Sequence, residues 1–180
     1  MTFKTGYELA QENVKMELNG AREKEADNQK GWDVHFLQMA RLVSTRSKDE
    51  STKVGCVMVG PKKEVITTGY NGFPRGIEND DPAKSVRPEK YIWTEHAERN
   101  AIYLAAERGA AIGGTTAYVT CPPCPDCARA LIQCGIVRVV IPANHAGNNN
   151  PPKSTWWDHI GKAQNMLAEA GIKVEVIYDE

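Results

Sequence analysis

Two short segments of this chain hold the residue types that hydrolytic zinc chemistry needs. His96 and Glu98 stand one residue apart, and further along Cys124 and Cys127 follow Pro123 with a Pro-Asp pair between them. Zinc prefers nitrogen and sulfur ligands, and a catalytic zinc site leaves one coordination position to water. We therefore expect His96, Cys124 and Cys127 to bind one zinc ion with Glu98 free beside it. Such a site turns water into a nucleophile.

The sequence around both segments favours helix N-termini. The prolines at 122, 123 and 125 predict a helix that begins near Cys124, because proline is tolerated in a first turn. Cysteines three positions apart then lie on adjacent edges of one turn. His96 is expected in the first turn of another helix, with Glu98 pointing elsewhere. The Glu98 carboxylate would take a proton from the water and transfer it to the substrate.

A structural zinc site is the alternative interpretation. A Cys-x-x-Cys pair alone is typical of structural zinc or of redox pairs, and structural sites take all their ligands from the protein. The further ligand could be Cys121, His35, His145 or Cys134. We favour catalysis because H-x-E followed by P-C-x-x-C is the signature of zinc-dependent nucleobase deaminases. Cys56 and Cys134 are expected to be packing residues.

Composition limits the kind of protein. The 180 residues, with 41% hydrophobic and 25% charged content, suit one domain with a sizeable core. No apolar run is long enough to span a membrane, and residues 1–20 are too polar for a signal peptide. The five cysteines, most of them near the motif, favour metal binding in a reducing compartment, so we expect a cytoplasmic location.

The charge balance bears on the partner. The net charge is −1 and the isoelectric point is about 6.4. Proteins that grip a nucleic-acid backbone usually show a basic excess. The balance therefore favours a small nucleotide over a nucleic-acid polymer, and the lack of a long apolar run speaks against a membrane partner.

The periodicity of apolar residues predicts an α/β fold. We expect a helix over residues 6–27, a polar break within residues 23–30 and a second helix over residues 32–47. The expected order is then strands 54–59 and 64–69, loop 71–94, helix 95–108, strand 115–120, helix 124–134, strand 136–141, loop 142–153, helix 154–170 and strand 172–178. This order predicts a three-layer α-β-α sandwich around one mixed sheet. We interpret residues 1–30 as an N-terminal helical extension and residues 31–180 as the catalytic domain.

Further segments resemble the deoxycytidylate (dCMP) deaminase family of the cytidine-deaminase-like fold. They are Arg46-Ser47-Lys48-Asp49 with Val54-Gly55, Gly69-Tyr70-Asn71-Gly72, His96-Ala97-Glu98-Arg99-Asn100-Ala101-Ile102, Pro123-Cys124-Pro125-Asp126-Cys127-Ala128 and Gln133-Cys134-Gly135-Ile136. The resemblance implies a five-stranded mixed sheet sandwiched by helices. It also implies zinc-dependent deamination of dCMP to dUMP and ammonia, which supplies the thymidylate precursor.

The same resemblance implies roles in substrate binding. Asn71 would bond the sugar hydroxyl, although an Asn-Gly pair is also a common turn. Backbone groups around Ala97 and Pro122 would contact the pyrimidine edge. Phosphate recognition needs a cation or a helix N-terminus, and Arg46 and Lys53 are the candidate cations in the segment that resembles the family.

Assembly and regulation are also implied by the family. Its members are commonly hexamers, and many respond to dCTP and dTTP, so we expect a homo-oligomer whose nucleotide effector would bring Mg²⁺. Some members carry a Tyr-Asp or Tyr-His pair where this chain has residues 142–145, Pro-Ala-Asn-His, so base and phosphate recognition are open. Residues 71–94 hold no Cys or His for a second zinc, so we expect one zinc per chain. Alternatives are a deaminase of another cytosine or modified-cytosine nucleotide, of dCTP or of tRNA adenosine, or a non-catalytic zinc-binding module.

Overall fold

The computed structural model describes residues 6–78, 81–144 and 155–178. The elements in chain order are α1 (Gly6–Ser44), β1 (Gly55–Val59), β2 (Val65–Tyr70), α2 (Pro82–Ser85), α3 (Lys90–Trp93), α4 (Ala97–Glu107), β3 (Thr116–Val119), α5 (Pro125–Gln133), β4 (Arg138–Pro142), α6 (Thr155–Glu169) and β5 (Lys173–Ile177). His145 and Ser154, which entered the sequence-based expectations, lie outside the described residues.

The strands form one mixed sheet in the order β2-β1-β3-β4-β5. β1 pairs antiparallel with both β2 and β3, whereas β3, β4 and β5 are parallel. Parallel neighbours need crossover connections, which are usually helices. α5 and α6 lie between these strands in the chain. The prediction of a five-stranded mixed sheet is confirmed.

Both faces of the sheet are covered by helices. All five residues of β1 are buried, and successive side chains alternate between faces. Cys56 and Met58 belong to a core cluster with residues of α4, α5 and α6. Val57 and Val59 belong to a second cluster with Phe36 and other residues of α1. The predicted three-layer α-β-α sandwich is therefore confirmed, with α1 forming one outer layer.

A buried ion pair attaches α1 to the sheet. The guanidinium of Arg138 donates to both carboxylate oxygens of Asp33 at 2.7 Å, and the Tyr118 hydroxyl donates to Asp33 Oδ1 at 2.8 Å. Burial alone would raise the pKa of Asp33, but the hydrogen bonds from Arg138, Tyr118 and Gln29 outweigh it and lower this pKa. The carboxylate is therefore ionised at neutral pH, and its ion pair with Arg138 joins α1 to β4.

The predicted break within residues 23–30 is wrong. α1 runs from Gly6 to Ser44 without interruption. The segment is rich in Ala, Glu, Lys and Gln, which favour helices wherever packing does not decide. Gly31 has open space around it and does not end the helix. The separation of residues 1–30 from the catalytic domain stays a prediction, and α1 passes through the proposed boundary.

The long segment after β2 is more ordered than its composition predicted. It contains α2 and α3, so describing all of residues 71–94 as a loop was only partly correct. The carboxylate of Asp81 accepts from the N–H of Ala83 and caps α2, and Pro82 occupies its first turn. Within the described ranges, no helix is both long and apolar enough to cross a membrane.

Candidate metal centre and active site

The candidate site lies where α4 and α5 begin. α4 packs so closely on β2 that a Cβ atom on Gly69 would lie 2.2 Å from the Ala97 carbonyl oxygen and 2.4 Å from the Ala101 nitrogen. The start of β1 and the end of β3 meet beside it, since Gly55 and Thr120 exchange hydrogen bonds of 3.0 and 3.1 Å. Gly69 has no Cβ atom, and this allows α4 to approach β2 so closely.

His96 and Cys124 occupy the same position in two different helices. Each is an N-cap with extended backbone, and each carbonyl accepts the first helical bond, from Asn100 at 2.9 Å and from Ala128 at 2.8 Å respectively. The sequence predicted a helix from residue 95 with His96 in its first turn, whereas α4 begins at Ala97 and His96 is its N-cap. Neither side chain caps its helix, so both are free to face the space between the helices.

Three ligand atoms converge in that space. Nδ1 of His96 lies 3.4 Å from Sγ of Cys124 and 3.4 Å from Sγ of Cys127. All three atoms lie within 4.8 Å of one another. One nitrogen and two sulfurs are the donors that zinc prefers, and three protein ligands leave a coordination position for water. The residues present therefore fit a catalytic zinc ion.

The two thiols and His96 share protons through hydrogen bonds. The pKa of Cys124 is lowered to about 4, because its sulfur accepts hydrogen bonds from the Cys127 thiol and from His96. The pKa of Cys127 is raised, because its proton is held in that hydrogen bond and the thiol is buried. Metal ligands must be deprotonated, so a bound cation would replace the shared protons.

Glu98 lies beside the ligand set without belonging to it. It is in the first turn of α4 and is 3% exposed. Burial raises its pKa, and the charge of His96 offsets part of this rise. Burial raises the pKa of the nearby Cys121 thiol to about 12, and the charge of Glu98 acts in the same direction. A buried carboxyl with a raised pKa is suited to accept and return protons.

Among the described residues, no fourth side chain joins His96, Cys124 and Cys127 in the ligand group. These three form the only group of metal-ligand residues in the described part of the chain. His35 packs on the rings of Trp32 and Phe36 in α1. Cys134 ends α5, away from its N-terminus. This arrangement argues for an open, catalytic site.

The predicted substrate-binding residues differ in their burial. Ala97 and Pro122 are both buried, and the Ala97 N–H begins α4 with no helical carbonyl to bind. Asn71 is buried and follows β2; the next residue, Gly72, pairs with the residue before His96. Arg46 and Lys53 are exposed in the segment between α1 and β1.

Sequence reasoning missed the residues that hold the two helix starts together. The Arg99 side chain forms an ion pair with Glu95 and lies 3.6 Å from Asp126 of α5. The same Glu95 carboxylate accepts from the backbone N–H of His96 at 3.0 Å. The i, i+4 spacing of Glu95 and Arg99 was a signal for their pairing, but no pattern predicted the link to α5.

Comparison with known proteins identifies the family. A family profile described as the cytidine and deoxycytidylate deaminase zinc-binding region matches residues 30–143. The chain belongs to this family. The deaminase is 39% identical over 143 residues to an uncharacterized deaminase encoded in the luxG 3′ region of Aliivibrio fischeri, which covers 79% of this chain and 91% of that protein.

Two further relatives carry substrate names. The deaminase is 36% identical to the deoxycytidylate deaminase of Enterobacteria phage T2, over 77% of this chain and 88% of the phage protein. The dCMP deaminase of cyanophage S-TIM5, solved in complex with dCMP and dUMP, superposes with a TM-score of 0.62 at 25% identity, covering 79% of this chain and 94% of that one. The chain spans only 66% of the length of a probable deoxycytidylate deaminase of Caenorhabditis elegans.

Proposed function

We propose that this zinc-dependent deaminase converts dCMP and water to dUMP and ammonia, which supplies the precursor of thymidylate. The observation that carries the proposal is the buried Glu98 carboxylate beside an open set of one nitrogen and two sulfur ligands. The relative from phage T2 is a deoxycytidylate deaminase, and the cyanophage relative binds both dCMP and dUMP. These relatives support dCMP over the other cytosine nucleotides.

The reaction needs proton transfers that Glu98 is placed to perform. Zinc held by His96, Cys124 and Cys127 would supply Lewis acidity that lowers the pKa of water. Glu98 would accept a proton as the water oxygen bonds to C4 of cytosine, and would transfer it to N3. A second proton would pass through Glu98 to the amino group, which leaves as ammonia when the C4–N bond breaks. The carboxylate is regenerated at the end of the cycle.

The substrate would be held by backbone and side-chain groups at the helix starts. The Ala97 N–H is a donor and the Pro122 carbonyl is an acceptor, so together they suit the polar edge of a pyrimidine. Asn71 would bond the sugar hydroxyl at the end of β2. Arg46 and Lys53 are the proposed phosphate ligands, because both cations lie in the segment that leads into β1.

The proposal extends to assembly and regulation. We propose one zinc per chain, a homo-oligomer with six subunits as the preferred state, and control by dCTP and dTTP accompanied by Mg²⁺. We also propose a cytoplasmic enzyme, since all five cysteines are free in the structure. Residues 1–30 would act as a helical extension of the catalytic domain. Sedimentation with and without each effector tests the assembly.

Ammonia release from a substrate panel tests the proposed reaction. The panel is dCMP, deoxycytidine, CMP and dCTP, each assayed with and without dCTP or dTTP as effector. We expect dCMP to give the highest kcat/KM, because remote binding energy from the phosphate orients the base for attack. Equal kcat/KM for deoxycytidine and dCMP would contradict the nucleotide assignment and leave deamination intact.

The same panel with Arg46→Ala and Lys53→Ala tests the phosphate ligands.

A further inference from the structure

A buried ion pair outside the metal centre joins two segments on either side of Asn71. Nζ of Lys90, in α3, donates to Oδ2 of Asp49 at 2.6 Å and to Oγ of Ser51 at 2.7 Å. Lys90 is only 7% exposed. A lysine is rarely buried unless its charge is compensated, so this contact defines the position of α3 against the segment before β1.

Asp49 connects this lysine to Asn71. Its Oδ1 atom accepts from the backbone N–H groups of Ser51 and Thr52 at 2.9 and 3.1 Å. Its Oδ2 atom faces both Lys90 and Nδ2 of Asn71, the latter at 3.4 Å. Burial alone would raise the pKa of Asp49, but hydrogen bonds from Lys90 and Ser51 outweigh it and lower this pKa. Asp49 is therefore an ionised acceptor that orients its neighbours.

The orientation of the Asn71 amide follows from its partners. The Val54 N–H can only donate, and it lies 2.8 Å from Oδ1; the Thr52 carbonyl can only accept, and it lies 2.9 Å from Nδ2. Nδ2 has two hydrogens, which Thr52 and Asp49 receive. The capacity that remains is the second lone pair of Oδ1. The side chain can therefore offer a ligand an acceptor and not a donor.

We propose that Lys90 is a positioning residue, which acts through Asp49 to fix the Asn71 amide so that its oxygen accepts a hydrogen bond from the sugar hydroxyl of the substrate. This inference rests on the proposed function, because it takes Asn71 as the group that meets the deoxyribose. Gly72 forms a bridge with Glu95, so the residue after Asn71 is joined to the residue before His96. A sugar without a free 3′-hydroxyl cannot donate this bond.

The test measures how Lys90 and the hydroxyl depend on each other. The substrates are dCMP, its 3′-deoxy analogue and its 3′-O-methyl analogue, assayed with the wild-type enzyme, Lys90→Met and Lys84→Met. Lys84 is the matched control, since it lies in the same segment and is less buried than Lys90; it pairs with the exposed Asp81 at 3.7 Å and its Nζ lies 4.9 Å from the Trp93 ring. We expect the wild type and the control to prefer dCMP over both analogues. In Lys90→Met, kcat/KM for dCMP should fall roughly 10- to 100-fold, as for other displaced positioning groups, and the preference should disappear.

Two outcomes overturn the inference. One is a Lys90→Met enzyme that loses activity but keeps the wild-type preference for the 3′-hydroxyl, since a purely structural role would do this. The other is a wild-type enzyme that accepts the 3′-O-methyl analogue as well as dCMP. If Lys90→Met does not fold, the double variant Lys90→Met/Asp49→Asn removes both buried charges. The ratio of kcat/KM for dCMP to kcat/KM for its 3′ analogues then decides. If dCMP releases no ammonia, the proposed function fails, and deoxycytidine against dideoxycytidine gives the ratio instead.

Discussion

Nδ1 of His96 lies 3.4 Å from Sγ of Cys124, although the two residues are 28 positions apart in the chain. Each residue is the N-cap of its own helix, and neither side chain caps that helix. A capping side chain contributes about 1 kcal/mol to helix stability. Neither helix has this contribution, because its N-cap side chain lies in the ligand group instead.

The first prediction concerns the ligand set. Cys124→Ala and Cys127→Ala should each abolish stoichiometric zinc binding, because each removes one of the three converging ligand atoms. Cys134→Ser is the matched control at the other end of α5 and should keep one zinc per chain, as should Cys56→Ala in β1. Elemental analysis of the purified variants measures this. Zinc loss from Cys56→Ala, or retention by both motif variants, would contradict the assignment.

Glu98→Gln should keep zinc and lose turnover. The amide has nearly the same shape but cannot carry protons, and general acid–base help is worth about 10²–10⁴-fold in rate. Glu107→Gln is the control on the same helix, where an exposed carboxylate pairs with Arg75. Ammonia release and metal content are measured together. Near-normal turnover by Glu98→Gln would remove its proposed role.

Gly69→Ala should disturb the site through the sheet. The new Cβ would lie 2.2 Å from the Ala97 carbonyl oxygen, which is backbone and cannot rotate away. Overpacking of this kind costs about 1–3 kcal/mol of folding stability, and an ångström-scale shift of α4 could lower turnover about 10²-fold. Gly161→Ala, with open space around it in α6, is the control. Urea unfolding and kcat are the measurements, and wild-type values for both would show that α4 does not need the close approach.

Asp33→Asn should destabilise the fold by about 1.5–3 kcal/mol at neutral pH, because it removes the charge of the carboxylate that accepts from Arg138 and leaves Glu175 to compensate the guanidinium. The pKa of Asp33 is lower in the folded state than its unfolded value of about 3.9, so its contribution is present above that pH. It is lost as pH falls through the folded pKa. The difference between wild type and variant in urea unfolding should therefore shrink as the pH falls below the unfolded pKa of about 3.9. Asp27→Asn, exposed on the same helix, should show no such change.

The metal centre was predictable because its information is local. The spacing of Cys124 and Cys127 puts both on one helical turn, and the prolines around them place the start of that turn. The single residue between His96 and Glu98 likewise predicted that the Glu98 carboxyl lies outside the ligand group. The five strands were also predictable, since their apolar runs and turns occur in an order that allows few topologies.

Other features depend on contacts that no local pattern contains. Lys90 stands in a polar segment of the sequence, and only the fold shows that Asp49, 41 positions earlier in the chain, compensates its charge. Arg99 is similar, since its second partner belongs to α5. The polar residues before Gly31 suggested a break, but this part of α1 is largely exposed, and the intrinsic helix propensity of its residues favours a continuous helix.

The position of the three ligands also affects the unfolded chain. A metal bound by His96 and Cys124 cross-links positions 28 residues apart, with all of β3 inside the closed loop. Closing a loop of this length removes chain entropy worth about 3–4 kcal/mol by the treatment used for disulfides. All five cysteines are free in the structure, and thiolate–metal coordination joins two segments without a disulfide. Bound zinc would therefore hold the starts of α4 and α5 together, and a chelator would destabilise the fold as well as stop the chemistry.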